Sequence, residues 1–312
     1  MSWRTATAFA PASVGNVAVG FDILGHSLPV LGDRVRAARC PTPGVRIAAV
    51  AGVIGEIPLD AAQNTAGRAV QSLMDARQPA FGVELAIEKG IPLGSGLGGS
   101  AASAVAAAVA ANELLDLPLP RAALLAHAIE GEVVASGTRH ADNVAASLLG
   151  GLVLTIDGDP PRCQQIPVPA SIRCVVVHPH LFIATREARG ILHDSLALSD
   201  HVRQSARLAG FLAGCYANDL GLIAASLADV LIEPQRAPLI PGLAEVQRAA
   251  RAAHALGCSI SGAGPSIFAW CEVQHAEAVQ DAMRAAFAVR GVGTDAWIAA
   301  IAGDGATILE RA

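Results

Sequence analysis

The sequence has no block of lysine and arginine, no Cys-x-x-Cys pair and no apolar run long enough to cross a bilayer. Each absence removes a class of function. Without clustered cations there is no footprint for nucleic acid or an anionic membrane, and a net charge of −5 points the same way. The six cysteines (Cys40, Cys163, Cys174, Cys215, Cys258 and Cys271) are scattered. Thiolates must converge at short spacings to hold a metal, so no zinc site is expected. They read as buried thiols in a reducing compartment. At the N-terminus, Thr5, Thr7 and Pro11 interrupt any signal-like apolar core. A cytoplasmic protein is expected.

What is present is a chain of 312 residues, 53% hydrophobic and 16% charged, which fits two globular domains. The polar, proline-rich stretch Asp157-Gly-Asp-Pro-Pro161 is the expected boundary, dividing the chain into 1–160 and 161–312. Strands are predicted over 3–9, 33–38, 45–50, 81–87, 152–156, 173–177, 267–271, 296–301 and 306–310. Helices are predicted from Asn64, over 100–115, 121–134, 200–217, 219–230, 243–256 and 275–289. Strands and helices mix without a strict βαβ rhythm or an internal repeat, so the fold class is α+β.

The chain is organised around Ile91-Pro-Leu-Gly-Ser-Gly-Leu-Gly-Gly-Ser-Ala-Ala-Ser103, with a predicted strand before it and an alanine-rich helix after. Glycines at 94, 96, 98 and 99 let backbone N–H groups turn inward around an anion, and a helix start adds unpaired donors and a positive dipole end. Gly94-x-Gly96-x-x-Gly99 also matches the dinucleotide fingerprint, but that fold needs an acid about 20 residues on, after a second strand. Here Glu113 and Asp116 close the same helix. A Walker loop ends Gly-Lys-Ser/Thr, and this one ends Gly98-Gly-Ser100 without lysine. Two further segments stand out. Ala10-Pro-Ala-Ser-Val-Gly-Asn-Val-Ala-Val-Gly-Phe-Asp22 delivers Asn16 and Asp22 from a loop, and Ser261-Gly-Ala-Gly-Pro-Ser266 is a second glycine turn. Read alone, Asn16 and Asp22 could simply bond their own turn.

The string Pro92-Leu-Gly-Ser-Gly-Leu-Gly-Gly-Ser-Ala-Ala102, with the segments at Ala10–Asp22 and Gly262–Ser266, resembles the galactokinase, homoserine kinase, mevalonate kinase and phosphomevalonate kinase superfamily. Gly99 stands where a serine is usual. Gly15-Asn16…Gly20-Phe21-Asp22, Glu130-Gly131…Ser136-Gly137-Thr-Arg-His140-Ala-Asp142-Asn143-Val144, Thr185–Arg189 and Glu233-Pro-Gln-Arg236 are most similar to the homoserine kinases. Glu132–Ala135 reads as an insertion between the halves of the central string.

The resemblance implies a two-domain small-molecule kinase, with an N-terminal domain like ribosomal protein S5 and a ferredoxin-like C-terminal domain. It implies ATP and L-homoserine as substrates, Mg²⁺ as cofactor and a homodimer. ATP would meet Pro92, Gly94, Ser95, Gly96, Leu97, Gly98, Gly99, Ser100, Ala101 and Ser103, with Asn64 and Lys89 toward the adenine. Ser100 and Glu130 would hold the metal; read without the motif, Glu130 would be a solvated helix residue. Arg189 and Arg236 would grip the substrate carboxylate, Asp22 its ammonium, and Asn16 and Asn143 its hydroxyl. His140 and Asn143 are the candidate catalytic residues; a histidine can titrate in a useful range, but in such a motif it more often orients its neighbours.

Overall fold

The computed structural model describes residues 3–53, 57–301 and 303–312. The first sheet is built on β1 (Thr5–Gly15), β2 (Leu24–Cys40), β3 (Val45–Gly52) and β4 (Gly82–Lys89). Two more strands, β5 (Leu152–Gly158) and β6 (Pro161–Ile166), extend it from the start of β2. The last strand of the chain, Thr307–Arg311, comes back to pair with β1. Among the described residues only β3 and β4 run parallel. The register of β1 on β2 shifts between Pro11 and Ala12, where Pro11 has no N–H to offer a ladder. This lets β2 pair with β5 through residues 24–26 and with β4 through residues 34–40.

Among the described residues this half holds the α-helices α1 (Thr65–Arg77), α2 (Gly99–Glu113), α3 (Leu124–Ser136) and α4 (Asp142–Leu149). Alanines at 6, 8, 10 and 12 form the buried face of β1, and α2 is buried on nearly every side by sheet and helices. Small side chains let these backbones approach closely, as the alanine-rich sequence predicts. Gly131 in α3 shows how closely: a Cβ there would stand 2.4 Å from the carbonyl oxygen of Thr65.

The second half holds β7 (Ile172–Pro179), β8 (Gly257–Ile260), β9 (Ile267–Glu272) and β10 (Thr294–Ala300), an antiparallel sheet in the order β10-β7-β9-β8. Numbered in sequence, the closing strand 307–311 is β11. The helices are α5 (Thr185–Gly190), α6 (Leu198–Ala217), α7 (Leu220–Ser226), α8 (Glu233–Arg236), α9 (Leu243–Ala252) and α10 (Ala276–Ala288). Strand residues alternate between two cores. Val175, Val177, Ile267 and Ala269 face α9 and α10, whereas Cys174, Val176, Phe268 and Trp270 join the core of the first half. Both faces are covered, which is why these strands read as unbroken apolar runs.

The stretch 157–161, expected to divide the domains, is the turn of the β5–β6 hairpin. The chain crosses to the second sheet only after Ile166, and β11 returns to the first. No helix among the described residues is long and apolar enough to cross a membrane.

A polar contact fastens the two sheets inside the shared core. Trp270 Nε1 donates to His26 Nε2 at 3.3 Å, and His26 Nδ1 lies 3.0 Å from the carbonyl oxygen of Ser27. The imidazole must therefore be neutral, with its proton on Nδ1. Full burial lowers its pKa from 6.5 to about 4, against a smaller opposing effect of the Ser27 carbonyl. In the unfolded chain His26 protonates first, so stability is complete above pH 6.5 and falls as the pH drops toward about 4. The loss should reach roughly 3 kcal/mol. Urea unfolding at pH 7 and pH 4.5 checks this, and His26→Gln, which keeps a neutral acceptor, should flatten that part of the pH dependence. An unchanged slope in the variant would count against the assignment.

Candidate functional site

The glycine-rich segment leaves β4 at Lys89 and enters α2 at Gly99. Gly94, Gly96 and Gly98 take φ values of 62°, 75° and 67°, a left-handed conformation open to glycine at little cost. Gly98 is the N-cap and has no side chain to occupy the free amides of the first helical turn. The loop's carbonyls are turned to the protein. Ser13 N–H donates to Leu97 O at 3.0 Å, Ser266 N–H to Ser95 O at 3.1 Å and Ser261 Oγ to Gly96 O at 2.7 Å. The second glycine turn, 261–266, thus braces the first across the domain boundary.

On its open side the loop borders a cavity of about 670 Å³. Asn64, Lys89, Pro92, Ser95, Ser100, Ser103 and glycines 94, 96, 98 and 99 line it, together with Ile57, Pro58 and the exposed ring of Phe182. Leu97 and Ala101 do not line it; both side chains are fully buried in the core beneath the loop. Asn64 caps α1, accepting from Ala66 and Gly67 at 3.0 and 3.2 Å and donating to Pro58 O at 2.8 Å. Lys89 is 4% exposed, and its ammonium is bonded to Asp33, Gly99 O and Ser103.

The carboxylate beside Ser100 is not Glu130. Glu130 points away from the loop and pairs with Arg68 at 3.3 Å and with Arg139. Glu132 lines the cavity and is hydrogen-bonded with Ser100. Burial is the main reason its pKa rises from 4.5 to about 7, with Asp142 adding to the rise and Ser100 opposing it. Residues two apart on a helix point about 200° apart, so only one of this pair can face the loop.

At the inner end of the cavity stands Asn143, whose Oδ1 accepts from Ser13 Oγ at 2.8 Å. From there a polar cluster continues. Asn16, Val17, Ala18 and Asp22 all hold positive φ, a concentration of strain outside glycine that marks functional turns. Asn16 N–H donates to Asp142 Oδ2 at 3.3 Å, its Nδ2 to Gly262 O at 3.0 Å, and its Oδ1 accepts from Asp22 N–H at 3.0 Å. Asp22 pairs with Arg189 at 2.7 Å and lies 3.5 Å from His140 Nδ1. Arg236, 3% exposed, donates to Ala188 O and Gly262 O at 3.0 and 2.9 Å. Both guanidinium groups lie over the Phe21 ring.

Burial dominates the electrostatics here. It pushes Asp142 up to about 6, helped by Asp22, and it lowers His140 despite the nearby Asp22 carboxylate. It also brings Arg236 down to about 10, with Arg189 adding to the drop, so the guanidinium stays charged at neutral pH. His140 Nε2 and Arg189 Nε are buried with no hydrogen-bond partner among the described residues. These two buried atoms in one cluster are donors or acceptors that a bound water or a polar ligand would satisfy. The structure thus brings together Asn16, Asp22, His140, Asn143, Arg189 and Arg236. Sequence reasoning missed Ser13, Asp33 and Glu132, and Glu132 lay inside the stretch read as an insertion.

Comparison with known proteins agrees with this geometry. The family profile for the GHMP kinases N terminal domain matches residues 64–151, and that for the GHMP kinases C terminal region matches residues 211–289. The chain is 52% identical to homoserine kinase of Xylella fastidiosa (strain 9a5c) over 306 residues, covering 97% of this chain and 94% of that protein. It is 42% identical to homoserine kinase of Chlorobium phaeovibrioides, covering 98% and 100%. The crystal structure of homoserine kinase from Cytophaga hutchinsonii superposes with a TM-score of 0.94 at 41% identity, covering 98% of each chain. Mevalonate kinase of L. major shares the fold alone, at 17% identity and a TM-score of 0.69, covering 97% of this chain and 100% of that one. The chain is an α+β, two-domain member of the GHMP kinases and, within them, belongs to the homoserine kinase family.

Proposed function

We propose that this protein transfers the γ-phosphoryl group of ATP to the hydroxyl of L-homoserine, giving O-phospho-L-homoserine in threonine biosynthesis. One observation carries the reading: a cavity walled by the glycine loop meets, at Asn143, a cluster holding two guanidinium groups and an exchangeable carboxylate. An amino acid offers the complementary charges. Its carboxylate suits the planar forks of Arg189 and Arg236, and its ammonium suits Asp22. Because Asp22 and Arg189 pair with each other at 2.7 Å, the zwitterion would insert between partners that already neutralise one another. Its hydroxyl would then lie toward Asn16 and Asn143.

The loop amides and the α2 N-terminus hold the phosphates, but a helix end carries only about half a unit charge. Ser100 and Glu132 are the residues that would hold Mg²⁺. Their all-oxygen donor set fits this ion, and Glu132 is a buried carboxyl facing the cavity. When bound, the ion would neutralise charge on the phosphates during transfer. Asp142 is a poor base in this arrangement, since it accepts from Asn16 N–H and lies 3.4 Å from the Asn143 amide. His140, held beside Asp22, orients the carboxylate that receives the substrate ammonium.

An assay of ADP release over homoserine, mevalonate and galactose tests the reading. Release with homoserine is expected, and release with mevalonate alone would overturn it. Within that assay, Arg189→Met should raise KM for homoserine about tenfold or more, the worth of one charge-assisted bond, and leave KM for ATP nearly unchanged. A parallel rise in both constants would show a general disturbance of the site instead.

A further inference from the structure

Lys89 is the only lysine in the chain; every other cationic side chain is arginine or histidine. It closes β4 at 4% exposure, against Asp33 at 0% on β2 and Ser103 at 4% on α2. An ammonium has three donors, and here each has an acceptor: a carboxylate oxygen of Asp33, Gly99 O at 2.8 Å and Ser103 Oγ at 2.9 Å. Asp33 is equally committed. Its Oδ1 accepts from Gly90 N–H at 3.0 Å and Ile91 N–H at 3.2 Å, and its Oδ2 accepts from Ser103 Oγ at 2.6 Å as well as from Lys89. A planar arginine fork could not converge on three acceptors in this way.

The bonded backbone groups sit at the two ends of the phosphate loop. Gly90 and Ile91 begin it, and Gly99 and Ser103 lie in the first turns of α2 where it ends. A buried ion pair is often no more stabilising than a well-packed apolar pair of similar volume. Stability alone therefore gives little reason for this one, whereas fixing both ends of a nine-residue glycine-rich segment does.

We infer that Asp33 is a positioning residue for phosphoryl transfer: through Lys89 and Ser103 it sets the aim of the loop amides without touching ATP itself. The inference rests on the ATP-dependent reading above. It also assigns the Lys89 ammonium to the loop's foundation, in contrast to the lysine of a Walker loop, which reaches the phosphates.

The test compares Asp33→Asn, the double variant Asp33→Asn with Lys89→Met, and Ser103→Ala. Melting temperature, ADP affinity by calorimetry, and KM and kcat for both substrates are measured in each. In Asp33→Asn, kcat/KM for ATP should fall about tenfold to a hundredfold, the scale of a small misplacement of reacting groups. ADP should bind more weakly, and KM for homoserine should stay within about twofold of wild type. The double variant removes the stranded buried charge, so its melting temperature should recover while the ATP constants stay depressed. Ser103→Ala, which loses one bond to Asp33 and one from Lys89 but keeps the ion pair, carries the same pattern in milder form should Asp33→Asn fail to fold. Recovery of both stability and ATP kinetics in the double variant would reduce the pair to a packing element and overturn the inference. A wild type that binds ADP but phosphorylates none of the alcohols would overturn the substrate instead, and the ADP affinities would still test Asp33.

Discussion

Glu132→Gln should lower kcat by about two to three orders of magnitude, the usual scale for deleting one preorganised electrostatic contact in a transition state. Glu130→Gln should leave kcat within a few-fold. The two glutamates share α3, and the sequence strings alone favour Glu130. The structure separates them by direction: Glu130 meets Arg68 and Arg139 on the outer side, while Glu132 turns inward to Ser100 and the cavity. Glutamine keeps the size of Glu132 and can still bond Ser100, so the change removes charge with little loss of packing. The Mg²⁺ concentration for half-maximal rate should rise in Glu132→Gln as well. Exposed pairs such as those of Glu130 contribute little, about 1 kcal/mol or less, so the control protein should remain folded. A large loss in Glu130→Gln with a near-normal Glu132→Gln would reverse the assignment.

The exchange of Glu130 for Glu132 shows where sequence reasoning stops. The glycine-rich loop was legible because its conformation is local: glycines supply positive φ, and the helix start supplies free amides. Asn16, Asp22, Arg189 and Arg236 were legible through their strings, and the fold brings them into one cluster. Glu132 was not, since a gap of two residues on a helix reverses the facing direction and a string cannot say which residue points in. The role of Lys89 was hidden for a different reason. Its partners Asp33 and Ser103 lie 56 and 14 residues away, and only the sheet register of β2 on β4 brings Asp33 beneath the loop. The β5–β6 turn failed as a boundary because Pro160 and Pro161 mark a hairpin turn as readily as a linker. His26 and Trp270 carry no local signal at all; their meeting depends on how one sheet lies on the other.

Gly96→Ala should cost both stability and activity, and the two losses have one cause. At φ 75° any residue with a Cβ is strained by about 1–2 kcal/mol. The added Cβ would also stand 2.6 Å from the carbonyl oxygens of Gly264 and Ser261. Neither can retreat freely. Ser261 O accepts from Gly264 N–H at 2.8 Å, Ser261 N–H is bonded to Ser266 O, and Ser266 N–H reaches back to Ser95 O. The clash therefore pushes on the brace that holds the loop's carbonyls turned to the protein. A further loss of about 1–3 kcal/mol from overpacking is expected, with kcat/KM for ATP down by about a hundredfold. Gly291 provides the comparison, because it sits at φ 72° and an added Cβ there would meet nothing within 4 Å, so Gly291→Ala carries the backbone strain alone. Thermal unfolding of the two variants isolates the contact between the glycine turns as the difference between them. Equal melting temperatures and normal ATP kinetics in Gly96→Ala would mean that the loop is not held by the 261–266 turn. Ser261→Ala, which deletes the 2.7 Å bond to Gly96 O and adds no clash, should fall between wild type and Gly96→Ala in both measurements.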